Sequence, residues 1–337
     1  MLFRSIQGGN VNAGEDATLT ALTGDIDGVT ALGGQVVKAT ANQSVTNASF
    51  TSQTSTVDVT ALAVDVNNTD VVANQKATVT AEEDVIGSSV VSEAADVAVW
   101  AKTGSVSATD ADAKTKVDYL AHVDIVGGSQ KSGAESVLKA ETGSIQGSNT
   151  KAGTFATLNA NQDIDAASVL ANTYVTATAG QSVTNASFTS QTSTVDVTAL
   201  AVDVNNTDVV ANQKATVTAE EDVIGSSVVS EAADVAVWAK TGSVSATDAD
   251  AKTKVDYLAH VDIVGGSQKA GTDAELEAET GNITGNAVEA GALASLDAAL
   301  DITGAEVDAA TATLTAGEDI SGGTVDTAGT ATLTAAS

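Results

Sequence analysis

Residues 43–62, QSVTNASFTSQTSTVDVTAL, recur unchanged as residues 181–200. The identity continues past both segments, so that residues 43–131 are the same as residues 181–269. A globular core cannot take up a second copy of such a segment without repacking, whereas a stack of equivalent units lengthens when a whole number of units is copied. The duplication therefore predicts a protein built from stacked repeats.

A shorter repeat lies inside the long one and is marked by an alanine. This alanine closes an alternating stretch, as in ATLTA at 17–21, VDVTA at 57–61 and ATVTA at 77–81. It recurs every 18–20 residues at Ala21, Ala41, Ala61, Ala81, Ala101, Ala121, Ala140, Ala160, Ala179, Ala199, Ala219, Ala239, Ala259, Ala278, Ala298, Ala316 and Ala335. Seven short units make one long repeat, so the duplication keeps the register of the short one.

Each short unit carries three stretches typical of strands. The stretch that ends at the marker alanine alternates at period two, which predicts a β-strand. An Ile or Val such as Ile26 or Val45 follows a few residues later, usually after Gly, Asp, Ser or Gln, which favour turns. A third apolar pair often follows, as at Val29/Ala31, Val169/Ala171, Val288/Ala290 and Val307/Ala309.

Three short strands and three corners in about twenty residues form one coil of a parallel β-helix. We therefore predict an all-β fold in which residues 1–337 form one continuous, three-sided, right-handed parallel β-helix of about 17 coils. An α-helical solenoid would need roughly 33–47 residues per unit. The central residues of the marker strands should form one inward column: Leu19, Val59, Val79, Val99, Leu138 and Leu158.

The composition excludes several classes of function. The chain has no Pro or Cys, 3% aromatic residues and a net charge of −30. A nucleic-acid binder needs a basic surface to neutralise phosphates, so this class is excluded. No apolar run has the length of a membrane span, and no apolar region of a signal peptide follows the first four residues, so we expect neither membrane insertion nor an export signal within this chain.

The residue pattern of the short repeat resembles that of a known family. Residues 307–322 approximate V-x-A-G-x-x-A-x-L-x-A-x-x-D-I-x-G, which is similar to the repeats of filamentous haemagglutinin-like adhesins of the two-partner-secretion type. The resemblance covers the whole chain and implies a long right-handed β-helix and an extracellular or bacterial cell-surface location. The family's amino-terminal secretion domain is not recognisable, because residues 5–8, SIQG, already match residues 144–147 within a coil.

A carbohydrate-active β-helix enzyme is the alternative from another functional class. Such an enzyme needs clustered carboxylates with Arg or Lys and aromatic residues that stack on sugars. Arg4 is the single arginine, and no outward row of aromatic residues is visible. His122 and His260 each stand in AHVDI, where a neighbouring Asp could orient a general base, but a corner histidine paired with that Asp is the simpler interpretation. We expect no catalytic residues.

Aspartates often precede the Ile or Val of the second stretch. Consecutive coils would place such residues about 4.8 Å apart, close enough for two carboxylates to share Ca²⁺. The candidate pairs are Asp65 with Asp84, Asp203 with Asp222, and Asp301 with Asp319. The favoured interpretation is that these side chains bind backbone N–H groups at the corners. We therefore expect no cofactor beyond calcium bound loosely to the acidic surface.

The clearest surface feature is a pair of large apolar residues on neighbouring coils. If Val97, Val99 and Ala101 point inward, Trp100 points outward, and Leu120 does so one coil later. Trp238 and Leu258 form the same pair in the second copy. Exposed apolar neighbours of this size suggest contact with a partner.

These observations favour a non-catalytic, extended structural or adhesive rod of a bacterial surface or secreted protein. The alternative of the same class is a self-assembling extracellular filament whose subunits stack end to end, because open strand edges pair with further strands. The expected partners are therefore further copies of the chain or another cell-surface molecule.

Overall fold

The structure is a computed structural model that describes residues 2–336. Its contacts divide the chain into two units, Met1–Ala171 and Asn172–Ser337. Each unit holds one copy of the duplicated segment. Every regular element within the described residues is a β-strand, and the strands pair in parallel with those of the next coil. The chain is an all-β parallel β-solenoid, as predicted.

The first face of each unit consists of the strands that end at the marker alanines. In the first unit these are Ala17–Ala21, Val37–Ala41, Val57–Ala61, Ala77–Ala81, Val97–Ala101, Lys116–Ala121, Glu135–Ala140 and Phe155–Ala160, and the short strand Leu2–Phe3 pairs with Ala17–Ala21 on the same face. In the second unit they are Tyr174–Ala179, Val195–Ala199, Ala215–Ala219, Val235–Ala239, Val255–Ala259, Asp273–Ala278 and Ala331–Ala335, together with the C-terminal parts of Ala287–Ala298 and Glu306–Ala316.

The second face consists of two-residue strands that begin at the predicted Ile or Val. In the first unit these are Val45–Thr46, Val66–Asn67, Val85–Ile86, Val106–Ser107, Ile125–Val126, Ile145–Gln146 and Ile164–Asp165, while Ile6–Ala13 and Ile26–Gly33 run on into the third face. In the second unit they are Val183–Thr184, Val204–Asn205, Val223–Ile224, Val244–Ser245, Ile263–Val264, Ile283–Thr284, Ile302–Thr303 and Ile320–Ser321.

The third face consists mainly of four-residue strands. In the first unit these are Ser49–Ser52, Asp70–Ala73, Ser89–Ser92, Asp110–Ala113, Ser129–Ser132, Asn149–Ala152 and Ser168–Ala171. In the second unit they are Ser187–Ser190, Asp208–Ala211, Ser227–Ser230, Asp248–Ala251, Ser267–Ala270 and Thr324–Thr327, together with the N-terminal parts of Ala287–Ala298 and Glu306–Ala316.

The predicted inward column of the first face is confirmed. Val79 lies in register with Val59 on one side and Val99 on the other, and all three are fully buried. Leu19, Leu138 and Leu158 are at most 3% exposed. Alternation at period two sends these residues inward and their neighbours outward, so stacking buries an apolar row that one coil could not bury alone.

A left-handed backbone conformation recurs at the corner that follows the second face. The residue two positions after the leading Ile or Val has positive φ, for example Asn68 at 46°, Gly127 at 66° and Ala108 at 45°. Gly and Asn occupy most of these corners, because a Cβ atom is disfavoured in this conformation. Ala108, Ala166 and Ala246 are the exceptions that carry an unfavourable side chain.

Replacing Ala108 by Gly should stabilise the protein, because the corner keeps its shape and loses the Cβ strain. The expected gain is about 0.5–1 kcal/mol of unfolding free energy, since the greater freedom of unfolded Gly offsets part of the relief. Gly147→Ala is the reciprocal control, because Gly147 has φ of 61° with no atom near its Cβ position. This control should lose about as much stability in urea titrations. A loss in both variants would contradict the strain argument.

Candidate functional surfaces

The aspartates before the second face form a ladder of side-chain to backbone hydrogen bonds. The Asp65 carboxylate accepts the Asp84 N–H at 2.9 Å, and the Asp84 carboxylate accepts the Ser105 N–H at 2.6 Å. In the second copy Asp203 and Asp222 repeat both contacts, and Asp301 accepts the Asp319 N–H at 2.9 Å. The Asp side chains therefore satisfy a backbone donor of the next coil, the role favoured by the sequence.

A glycine in several coils makes room for this ladder. A Cβ atom on Gly104 would lie 2.1 Å from Asp84 Oδ1, and one on Gly143 would lie equally close to Asp124 Oδ1. Distances of this kind leave no space for a side chain. The recurrent TGS and TGN corners therefore follow from the aspartate one coil earlier.

The paired aspartates form no larger cluster of possible metal ligands. Within residues 2–336, no group of three or more His, Asp or Glu side chains is close enough to hold a metal ion. Asn282 takes the ladder position once, where its Oδ1 accepts the Asp301 N–H at 3.0 Å. The ladder therefore requires an acceptor oxygen and not a negative charge.

Asp84→Asn should leave the stability of the protein nearly unchanged, whereas Asp84→Ala should lose about 1 kcal/mol, because alanine offers no acceptor to the Ser105 N–H.

Thermal unfolding with millimolar Ca²⁺ or Mg²⁺ tests the calcium alternative in the same variants. A calcium site would raise the melting temperature of the unmodified protein more in Ca²⁺ than in Mg²⁺. It would also make Asp84→Asn as damaging as Asp84→Ala in Ca²⁺, which would contradict a purely capping role.

The two histidines are exposed at corners and face glutamates of the next coil. His122 Nδ1 lies 3.5 Å from Glu141 Oε2, and His260 Nδ1 lies 2.9 Å from Glu279 Oε2. The aspartate two residues after His122 instead accepts the Ser144 N–H. The expected pairing of the histidine with its neighbouring Asp is therefore wrong, because stacking brings a residue of the next coil closer.

The two apolar pairs lie where the alternation places them. Trp100 is 37% exposed and lies in register with the half-buried Leu120. Trp238 lies in register with Leu258 in the same way, and both are half-buried. Lys214 Nζ lies 5.9 Å from the centre of the Trp238 ring, within the range of a cation–π contact. Both pairs leave apolar surface available to a partner.

Sequence reasoning did not identify a buried polar cluster in each copy. Tyr119 is buried between coils, and its hydroxyl donates a hydrogen bond to the Thr109 carbonyl oxygen at 2.9 Å. Burial raises the Tyr119 pKa well above its ordinary value, although a hydrogen bond with Gln130 opposes the shift. Tyr257 makes the equivalent bond to Thr247 at 3.0 Å. Alternation revealed that Tyr119 points inward but could not reveal its partner.

Shallow grooves lie where the third face turns toward the next coil. In the first unit a groove of about 410 Å³ is lined by Val91, Glu93, Asp112, Lys114 and Lys131, among others. The equivalent groove in the second unit measures about 610 Å³ and extends over Glu289 and Asp308. The two grooves are identical where the sequence is duplicated and differ in the coils that follow.

Neither the helix content of the structure nor a comparison with known proteins assigns the chain to a class. Within residues 2–336 the structure contains no helix with the length and hydropathy needed to cross a membrane. No protein family, curated protein or solved structure matches the chain.

Proposed function

We propose that the chain is a non-catalytic, extended structural or adhesive rod of a bacterial surface or secreted protein. The observation that carries the proposal is the coil-to-coil pairing within each unit, where every face of one coil is hydrogen-bonded to the same face of the next. Such a stack gains stability from each added coil and displays a long surface. The resemblance to adhesin repeats supports the location outside the cell.

The duplicated block offers a direct test of the rod. Inserting a further copy of residues 43–180 after residue 180 adds seven coils in register. Electron microscopy and small-angle X-ray scattering should then show particles about 34 Å longer with an unchanged cross-section, at about 4.8 Å per coil. Deleting one block should shorten the particles by the same amount. An increase in width, or a compact particle of either variant, would contradict the rod.

The adhesive part of the proposal assigns partner contact to the two apolar pairs. Trp100→Ala combined with Trp238→Ala should weaken attachment to the partner surface while leaving the fold intact, because both rings project from the first face. Thr40→Ala with Thr178→Ala is a matched control on the same outward rows. Attachment is measured with each variant immobilised and the partner surface applied to it. Equal attachment by both double variants would contradict this assignment.

A further inference from the structure

The outward row of the third face changes its charge between the two units. In the first unit the row runs through Asp112, Lys131, Lys151 and Leu170, each in register with the next. In the second unit the corresponding row runs through Asp250, Lys269, Glu289, Asp308 and Asp326. The rows diverge directly after the duplicated segment, where Lys151 in one corresponds to Glu289 in the other.

The wider charge distribution follows the same division. Residues 97–160 contain six lysines and six acidic residues, so this part of the first unit is neutral in a chain of net charge −30. Residues 270–336 contain twelve acidic residues and neither Lys nor Arg. Contact between the neutral region of one copy and the acidic region of another therefore avoids the repulsion that two acidic regions would meet.

The ion pairs on the two rows are incomplete. Lys131 pairs with Asp112 at 2.7 Å, while Lys151 makes no ion pair with the described residues. On the other row, Lys269 pairs with Glu289 at 3.4 Å. Within residues 2–336, Asp308 and Asp326 have no cationic partner. Each row thus keeps charged groups free for a partner.

We propose that the third face of the first unit binds the third face of the second unit in another copy of this chain. Both rows repeat at about 4.8 Å per coil, so a parallel alignment keeps register over several coils. It places Asp112 opposite Lys269, Lys131 opposite Glu289 and Lys151 opposite Asp308, which gives three opposite-charge pairs in succession. The grooves beside both rows lie within the contact.

The contact is heterologous, since it joins different surfaces of the two copies. Each copy keeps one unused row after the first contact, so association continues beyond two copies. This sideways contact is separate from the proposed rod function and from end-to-end stacking of subunits. Evidence against the contact would leave both of those interpretations standing.

Charge exchange in the full-length chain tests the proposal. Sedimentation velocity at about 0.15 M NaCl should show self-association of the unmodified protein that weakens at about 1 M NaCl. Lys131→Glu with Lys151→Glu should reduce the association constant by about tenfold or more, because both rows are then negative. Glu289→Lys with Asp308→Lys should do the same, because both rows are then positive. Mixing the two variants should restore association, since each supplies the row that the other lacks.

A matched control separates the specific contact from net charge. Lys38→Glu with Lys76→Glu changes the net charge as much as the lysine exchange does, but lies outside the third-face row. This control should associate like the unmodified protein, and all variants should keep their circular dichroism spectrum and melting temperature. Monomeric unmodified protein at all concentrations, an equal loss in the control, or no association in the mixture would overturn the proposal.

Discussion

Val79→Asp is expected to lower the free energy of unfolding by about 3–5 kcal/mol, because it places an unpaired carboxylate in the inward column. Val79 is fully buried between Val59 and Val99, which are fully buried as well. None of the described residues of this column has a cationic side chain that could pair with the new charge. Val217→Asp should cost as much, since Val217 is fully buried between the corresponding Val197 and Val237.

Thr60→Asp is the matched control for this prediction. Thr60 is half-buried on the outward side of the first face, and Asp58 already occupies the other outward position of the same strand. The control should lose less than about 0.5 kcal/mol, as ordinary surface substitutions do. Urea unfolding followed by circular dichroism measures both variants. Equal stability of Val79→Asp and Thr60→Asp would show that the column is not the core.

Because a solenoid can open locally, hydrogen exchange adds a second readout. In Val79→Asp the amides of 57–61, 77–81 and 97–101 should lose protection before those of distant coils, since each coil contacts only its neighbours. A uniform loss of protection over the chain would instead indicate that the unit unfolds as a whole.

The sequence predicts the three faces well, because each face depends on a local pattern. The first-face strands end at the predicted alanines, and the second-face strands begin at the predicted Ile or Val. Alternation also places Tyr119 inside and Trp100 outside. These features are decided within one coil, so a single coil of sequence contains the information that they require.

Features that depend on contact between coils could not be predicted. The pairing of His122 with Glu141 follows from coil stacking, and neither residue marks it in the sequence. Ala108 does not look like a turn residue, yet the stack holds it at positive φ. The sequence pattern also does not predict that Lys131 and Lys151 are neighbours on the third face, because they come together only when their coils are placed in register.

The close approach of coils at one corner gives the last prediction. A Cβ atom on Gly34 would lie 2.1 Å from the Gly14 carbonyl oxygen and 2.8 Å from the Gly14 carbonyl carbon. Both are backbone atoms, so no side-chain rotation relieves the clash. The Gly34 N–H also donates to the Ala13 carbonyl oxygen at 2.9 Å, which holds the two coils together at this corner. Gly34→Ala must therefore separate the coils and weaken that bond, at an expected cost of about 2–4 kcal/mol.

Gly14→Ala is the control, because Gly14 belongs to the same corner one coil earlier and no atom lies within 4 Å of its Cβ position. Neither glycine has positive φ, so backbone strain does not separate the two variants. The unfolding free energy of Gly14→Ala should stay within about 0.5 kcal/mol of the unmodified value. Gly133→Ala and Gly271→Ala should repeat the large loss, since their Cβ atoms would each lie 2.0 Å from a carbonyl oxygen. Equal melting temperatures of Gly34→Ala and Gly14→Ala would show that the corner tolerates a side chain and that the two coils do not limit each other there.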